Sequence, residues 1–355
     1  MTEEEVFERL RKKLQAIELT PSFKTLSTGV LAFDYILGGG LPEGRLAEIY
    51  GDWSSGKSAL VYHAIVQAQR EGGVAMLHDS EGALSVPWAE TLGIDMERLL
   101  YYEPMPIESV FDKMEEGIKA VMADEYFRLK PFLLVWDSVA ATMAKEELKR
   151  EYGDAEVALR ARVISGALRK LTGLIRNSKT IVVFTNQLRD RPMVMFGDTE
   201  ETTGGRAIKF HSSLRCEMQK KFGKSGLILS PSGTQVIGVK CSIKCTKSKV
   251  CVPFRYVDFD LYYDGGIPRM SGLLDLMVRE GKIAHTPKTA WYSLGERRFR
   301  ADEFTEEIYR EALLRAQSRD TILTTEEGAS EDLHVEETEG PSREVDEGDD
   351  QTSKG

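Results

Sequence analysis

"EIYGDWSSGKSAL", residues 48–60, is the stretch on which the fold turns. Gly51 to Ser58 reads G-x-x-x-x-G-K-S, after an apolar run, LAEIY (46–50), and before a helical pattern from Lys57 to about Arg70. A strand that breaks at glycine and resumes as a helix leaves backbone N–H groups pointing into a bend at a helix N-terminus, where phosphates bind. The pattern predicts a phosphate-binding loop in which Gly51, Asp52, Trp53, Ser54, Ser55, Gly56, Lys57, Ser58 and Ala59 surround a nucleotide. Lys57 reaches the β- and γ-phosphates and Ser58 holds Mg2+. A chance match with both flanks correct is rare.

Outward from this loop, apolar runs alternate with helical patterns: VAMLH (74–78), LLYYE (99–103), a helix around 107–123, FLLVWD (132–137), a long helix near 155–178 and TIVVFTN (180–186). Such alternation predicts an α/β fold, a mainly parallel sheet flanked by helices. FLLVWD ends on Asp137, placed at a strand tip to hold Mg2+ with Ser58. A bare apolar run ending in Asp is common and acquires meaning only with the phosphate loop upstream. Glu81 and Asp79 both follow the 74–78 strand, and either carboxylate is in position to activate an attacking water. From about Ser213 the pattern changes to alternation, as in Ile237, Val239, Cys241, Ile243 and Cys245, with neighbours near 214–219 and 255–263. This reads as an antiparallel extension.

The 355 residues suffice for one large domain with appendages. No apolar run approaches the ~20 residues that span a bilayer, and the acidic, amphipathic N-terminus is not a signal peptide. The four cysteines form no C-x-x-C pair, and Cys241 and Cys245 fall on the apolar side of a strand, as small buried residues do. A reducing, cytoplasmic setting fits. The net charge of −10 lies wholly in residues 325–355, which hold twelve acids and two bases; 45 of each sign remain in residues 1–324. The tail is too polar to fold alone. The expected organisation is an N-terminal oligomerisation helix and linker (1–25), a core (26–266), a small C-terminal region (267–318) ending in a helix, and a disordered acidic tail (319–355).

A stretch of another kind, "LRDRPMVMFGDTEETTGGRAIKF" (188–210), sets Met193, Val194, Met195 and Phe196 among charges and glycines. A core strand does not carry such flanks, and a plain surface loop has no need of the apolar four. Together the strings "STGVLAFDYILGGGLPEGRLAEIYG", "SSGKS", "VWDSVAA", "TNQLR", "VMFGDTEETTGG" and "AIKF" resemble the bacterial RecA family of homologous-recombination ATPases, from about Leu26 to Tyr292. The motifs occur in order with matching separations.

The resemblance implies a RecA-like core and several roles. Glu81, in "DSEGA", is the catalytic base, with Gly82 where the family usually has His. Trp88 replaces the tyrosine that stacks on adenine, and Ser85 replaces a nearby aspartate. Gln187 senses the γ-phosphate and relays its presence to the loop that follows, the second DNA-binding loop. There Arg189, Met193, Val194, Phe196, Thr203, Gly204, Gly205 and Arg206 meet DNA, the glycines allowing close backbone approach and the apolar side chains wedging between bases or packing on a neighbouring copy. Pro192 stands where an aliphatic wedge is common, and Arg206 replaces an asparagine. "KREYGDAEVALRAR" (149–162) matches the first DNA-binding loop and brings Val157, Arg160 and Arg162, with Arg169 further along the helix. Taken alone these would be solvated charges on a helix face. Lys247 and Lys249, in "IKCTKSKVCVPF", reach the γ-phosphate held by the next copy, and Phe210 is an interface aromatic.

The function implied is an ATP-dependent DNA strand-exchange recombinase. It uses ATP and Mg2+, forms helical filaments with itself on single-stranded DNA, and pairs that strand with homologous duplex. Loader or single-strand-binding proteins are its further expected partners. The expected setting is the nucleoid of a bacterial or phage-infected cell, with no membrane contact. Two other classes share the core: a hexameric DNA helicase motor, and a weakly hydrolysing recombination mediator. No helicase-type partner domain is found to support the first, and intact Lys57, Glu81, Asp137, Gln187, Lys247 and Lys249 speak against the second.

Overall fold

The computed structural model describes residues 24–149, 157–176, 178–190 and 200–327, together with Thr2, Glu5, Val6 and Arg9. The expected N-terminal helix falls almost wholly outside this set. So do the acidic tail beyond Glu327 and three of the expected DNA contacts, Met193, Val194 and Phe196. Two compact units are present, Met1–Glu280 and Gly281–Gly355.

A short antiparallel pair, β1 (Thr25–Leu26) with β2 (Leu41–Pro42), opens the first unit. The strands β3 (Arg45–Gly51), β4 (Val74–Asp79), β5 (Leu99–Tyr102), β6 (Phe132–Asp137) and β7 (Thr180–Asp190) follow, then β8 (Glu200–Thr202) and β9 (Leu214–Lys220). Last come β10 (Leu227–Leu229), β11 (Val236–Ser248) and β12 (Tyr256–Tyr262). They form one ten-stranded sheet in the order β5-β4-β6-β7-β3-β9-β11-β10, with β8 on β7 and β12 on β11. From β5 to β9 all pairings are parallel; from β9 through β11 they are antiparallel. The expected parallel core with an antiparallel extension is therefore the observed architecture.

β6 explains why the sheet is closed on both faces. Phe132 to Trp136 are buried without alternation, which requires cover on each side. One face packs Met76, Phe132, Leu134, Trp136 and Phe184 against the helices Ile107–Ala123 and Val157–Ile175. The helix Lys57–Arg70 buries Leu60, Val61, Ala64 and Ile65. Its chain runs from β3 to β4, skipping the positions taken by β7 and β6. The order of strands thus reverses beside β3, and ligands bind at the C-terminal strand ends of such switch points. The register sets Gly51 level with Gln187 and Asp79 level with Asp137 at that edge.

The first unit extends to Glu280 and includes the helix Leu273–Arg279, which buries Leu273, Leu276 and Met277. In the second unit β13 (Ala284–His285), β14 (Trp291–Leu294) and β15 (Arg297–Arg300) form an antiparallel sheet. His285, Tyr292, Phe299 and Phe304 stack in series, with successive ring centroids 4.6, 5.9 and 6.1 Å apart. The helix that follows runs from Glu306 to Glu327. No Pro or Gly interrupts residues 306–327. Among the described residues no helix is long and apolar enough to cross a membrane.

Candidate nucleotide and DNA site

β3 delivers the phosphate loop. Gly51 has φ 144°, and a Cβ there would lie 1.8 Å from the Met218 carbonyl oxygen of β9, so only glycine fits between the strands. The Ser55 hydroxyl donates to the Asp52 carbonyl at 2.8 Å and closes the bend. Lys57 Nζ donates to the carbonyls of Gly51, at 3.1 Å, and Asp52. Burial lowers its pKa, while Asp137, Asp52 and Glu81 pull it back up. Trp53 is exposed, its ring centroid 5.4 Å from Lys220 Nζ. Ala59 is buried in the helix behind.

Three carboxylates face this loop. Asp137, at the end of β6, accepts from the Thr185 hydroxyl at 2.5 Å and from the Ser58 hydroxyl. Burial pushes its pKa up, those two bonds oppose the rise, and Glu81 and Asp79 add to it. Ser58 and Asp137 in mutual contact, with two more acids beside them, fit a hard divalent cation that completes its shell with water and phosphate oxygens. Among the described residues no three His, Cys, Asp or Glu are arranged as an all-protein cage.

The two acids that spacing left as rivals have different surroundings. Buried Asp79 accepts from the backbone N–H groups of Glu81 (3.1 Å), Gly82 (2.9 Å) and Leu84 (2.9 Å) and from the Tyr101 hydroxyl (3.2 Å). With four donors it shapes the turn. Glu81, carried on that turn, is exposed; its Oε1 accepts from Ser138 Oγ at 3.0 Å and Gln187 Nε2 at 3.4 Å. Nearby, Trp88 donates its indole N–H to the Tyr263 carbonyl at 3.1 Å and tilts against Tyr62, ring centroids 5.4 Å apart. Its ring is half-buried.

The expected DNA elements converge at the other end of Gln187. β7 runs on through Leu188, Arg189 and Asp190, paired antiparallel with Thr202, Glu201 and Glu200. Gly204 then packs on Ile164, 3.1 Å from the place of its missing Cβ, and Gly205 on Ala161, at 3.3 Å. The end of the second loop thus rests on the start of the helix Val157–Ile175, beside Arg162. Val157 opens the helix Val157–Ile175, and Arg189 lies on β7. Arg162 and Arg169 are exposed and seven residues apart, hence on one helix face roughly 10 Å from each other. Arg206 is exposed at the first position of the next helix, Arg206–His211. Arg160, expected among the DNA contacts, donates its Nε to both oxygens of Glu147, at 2.7 and 2.8 Å, and the pair is largely buried. Glu147 also accepts from the Ala144 N–H, so Arg160 ties down the turn before the first loop.

Lys247 and Lys249 stand apart from the phosphate loop. Lys249 N–H bonds the Ser213 carbonyl and Ser213 N–H bonds that of Leu46, which sets Lys249 level with Leu46. Gly51 is five residues further along β3, roughly 16 Å at strand spacing. Lys247 Nζ donates to the Lys209 and Phe210 carbonyls, and Lys249 Nζ lies 6.0 Å from the centroid of the exposed Phe210 ring. Burial lowers the pKa of Lys247, as do Lys249 and Arg215, with Glu48 opposing. Lys249 lines a groove of about 340 Å³ with Arg45, Arg169, Arg176, His211 and Phe210.

Several residues of this arrangement escaped sequence reasoning. Ser138 follows Asp137 directly, and a closer look at the strand end would have found it. Glu48 pairs with Arg215 across 167 residues, and no local signal joins them.

Comparison with known proteins agrees with these elements. The family model described as RecA N-terminal domain matches residues 11–268. Over 309 residues the chain is 40% identical to Protein RecA of Chlorobaculum parvum, covering 85% of this chain and 84% of that one. It is 42% identical over 287 residues to Protein RecA of Geobacter metallireducens, covering 81% and 80%. A third relative, Protein RecA of Symbiobacterium thermophilum, is 41% identical over 276 residues, 78% and 75% of the two chains.

Proposed function

Because this chain belongs to the RecA family, and is a DNA-dependent ATPase of homologous recombination, we propose that it hydrolyses ATP in a pocket shared by adjoining copies of itself on single-stranded DNA. The observation that carries the reading is the separation of its cations. Lys57 follows the C-terminal end of β3, whereas Lys249 is level with Leu46 near the other end, and Lys247, level with Glu48, turns its Nζ to the Lys209 and Phe210 carbonyls. A pair so placed suits the γ-phosphate held by the next copy.

In this reading the loop Gly51–Ala59 cradles the phosphates and Trp88 lies against the base. Ser58 and Asp137 hold Mg2+, which would neutralise charge on the β- and γ-phosphates. Glu81 takes the proton from the attacking water; Asp79 and Ser138 fix the direction of its carboxylate. Gln187, in contact with Glu81, carries the state of that site along β7 into the loop that ends at Thr203, Gly204 and Gly205. Arg162 and Arg169 hold DNA phosphates along one helix face, Arg189 and Arg206 add charge, and Met193, Val194 and Phe196 wedge between bases. Val157 lies at the first loop, and Arg160 supports that loop through Glu147. Contacts to backbone and stacked faces give low sequence preference, so homology is tested by base pairing with an incoming duplex. The larger unit is the ATPase core, the second unit is accessory, and loader or single-strand-binding proteins assist assembly in the nucleoid.

Electron microscopy of the protein with single-stranded DNA and a non-hydrolysable ATP analogue tests this reading. Helical filaments are expected; closed rings or lone particles would contradict it.

A further inference from the structure

One buried polar chain joins elements that lie far apart along the sequence. Glu48, fully buried on β3, is shared between two partners: Oε1 accepts from Asn186 Nδ2 at 3.1 Å, and Oε2 accepts from Arg215 Nε at 2.6 Å. Asn186, also fully buried, bonds in two more directions. Its Nδ2 donates to the Thr203 carbonyl at 2.8 Å, and its Oδ1 accepts from the Gln187 N–H at 3.0 Å. On the other side, the Arg215 guanidinium lies 4.4 Å from the centroid of the Tyr50 ring. The Tyr50 hydroxyl is 2.9 Å from Thr246 Oγ1, which also donates to the Arg215 carbonyl at 3.3 Å. Thr246 precedes Lys247, and Lys247 is the cross-strand partner of Arg215, beside an irregularity in the pairing.

A buried ion pair gains little stability over apolar residues of equal volume, because both charges lose their hydration. What such a group does well is fix position: its bonds tolerate few alternative arrangements. Here the bonded groups are the end of the second loop, the backbone of Gln187, and the strand of Lys247. The hydroxyls of Thr202 and Thr203 are buried with no hydrogen-bond partner among the described residues, so the loop end has unused bonding capacity at the point the chain reaches.

We propose that Glu48, Arg215, Asn186 and Tyr50 are positioning residues that couple the lysine pair presented to the next copy with the DNA-binding loop of the same copy. The inference rests on the composite-pocket reading above. A phosphate seated on Lys247 loads the Thr246–Tyr50–Arg215 side of the chain. Glu48 and Asn186 pass that load to Thr203 and Gln187. Nucleotide at one interface then raises DNA affinity in the loop beside it, and DNA raises nucleotide affinity by the same factor.

The test is the affinity of the full chain for fluorescent oligothymidylate, with and without a non-hydrolysable ATP analogue; the ratio of the two is the coupling factor. Tyr50→Phe keeps the ring under Arg215 and removes only the bond to Thr246. Asn186→Ala removes the bonds to Glu48, Thr203 and Gln187. Each is expected to lower the coupling factor about fivefold or more. The double variant is expected to fall no lower than the more severe single one, because both cut one chain. A folded Tyr50→Phe protein with unchanged coupling, or single effects that multiply in the double variant, would overturn the inference. A merely structural role would lower the melting temperature and leave the ratio intact. Natural protein with a ratio of one would instead sink the composite-pocket reading beneath it.

Discussion

Gln187 Nε2 stands 3.4 Å from Glu81 Oε1, so the residue at the head of the second loop touches the exposed carboxylate of the phosphate site. Neither needs to move far for a change at one to be felt at the other. Glu81→Gln keeps the shape and the Ser138 contact and removes the base. Turnover is expected to fall by about 10²–10⁴-fold with nucleotide affinity retained. Asp79→Asn should weaken both together, because it withdraws charge from three backbone N–H groups that form the turn. Steady-state ATPase assays and analogue binding separate the two; equal loss of affinity in both variants would refute the assignment.

The two neighbouring arginines at the start of the long helix should behave differently. Arg162 is exposed, and Arg162→Ala is expected to weaken single-strand binding and reduce the slope of log K against log salt by about 1. Arg160 is spoken for by Glu147, at 2.7 Å, in largely buried surroundings. Arg160→Ala is therefore expected to lower thermal stability with a smaller change in salt slope. Salt titrations by fluorescence anisotropy check the pair, and identical slopes would mean that Arg160 reaches DNA too.

His78 makes stability depend on pH. It is buried on β4, stacked on Tyr102 with ring centroids 4.9 Å apart, and neither ring nitrogen has a partner among the described residues. Burial pushes its pKa from the ordinary 6.5 down to about 4. The unfolded chain therefore takes up the proton first. The contribution is whole above pH 6.5 and is lost as pH falls from there toward 4, by roughly 3 kcal/mol across the window. His78→Leu should flatten this limb. Urea melts at pH 7.5 and 5.0 check it; an equal fall in midpoint for both proteins would clear His78.

Phe254 sits in the loop that presents Lys249, with its backbone at φ 68° and its ring 66% exposed. An aromatic residue in the left-handed region is strained by about 1 kcal/mol or more. Phe254→Gly is expected to raise the melting temperature by about 2–3 °C and to weaken self-association, since the exposed ring lies in the loop of Lys249, on the surface proposed to meet the next copy. Sedimentation and calorimetry on one preparation check both; stronger assembly would show that the ring serves no contact.

The parts of the fold that were legible in sequence are those whose cause is local. Lys57 is flanked by a strand and a helix that make its role readable, FLLVWD announces a strand buried on both faces, and the alternation around Cys241 announces an antiparallel one. The unread parts have causes spread along the chain. Arg215 and Glu48 meet only because β9 and β3 pair, and Arg160 finds Glu147 through a turn that spacing does not reveal. The second unit begins after Glu280 because Leu276 and Met277 are buried, a fact of packing. Asp79 and Glu81 look alike as letters; the donors around each distinguish them.

The central claim is that one nucleotide is served by Lys57 of one copy and by Lys247 and Lys249 of another. Lys57→Ala and the double variant Lys247→Ala/Lys249→Ala should each be nearly inactive alone in DNA-stimulated ATP hydrolysis. Mixed in equal amounts on single-stranded DNA, they create interfaces with an intact lysine from each side, and activity should return to about a quarter of the natural protein's in a random head-to-tail polymer. A mixture as inactive as its components, with filaments visible, would contradict the shared pocket.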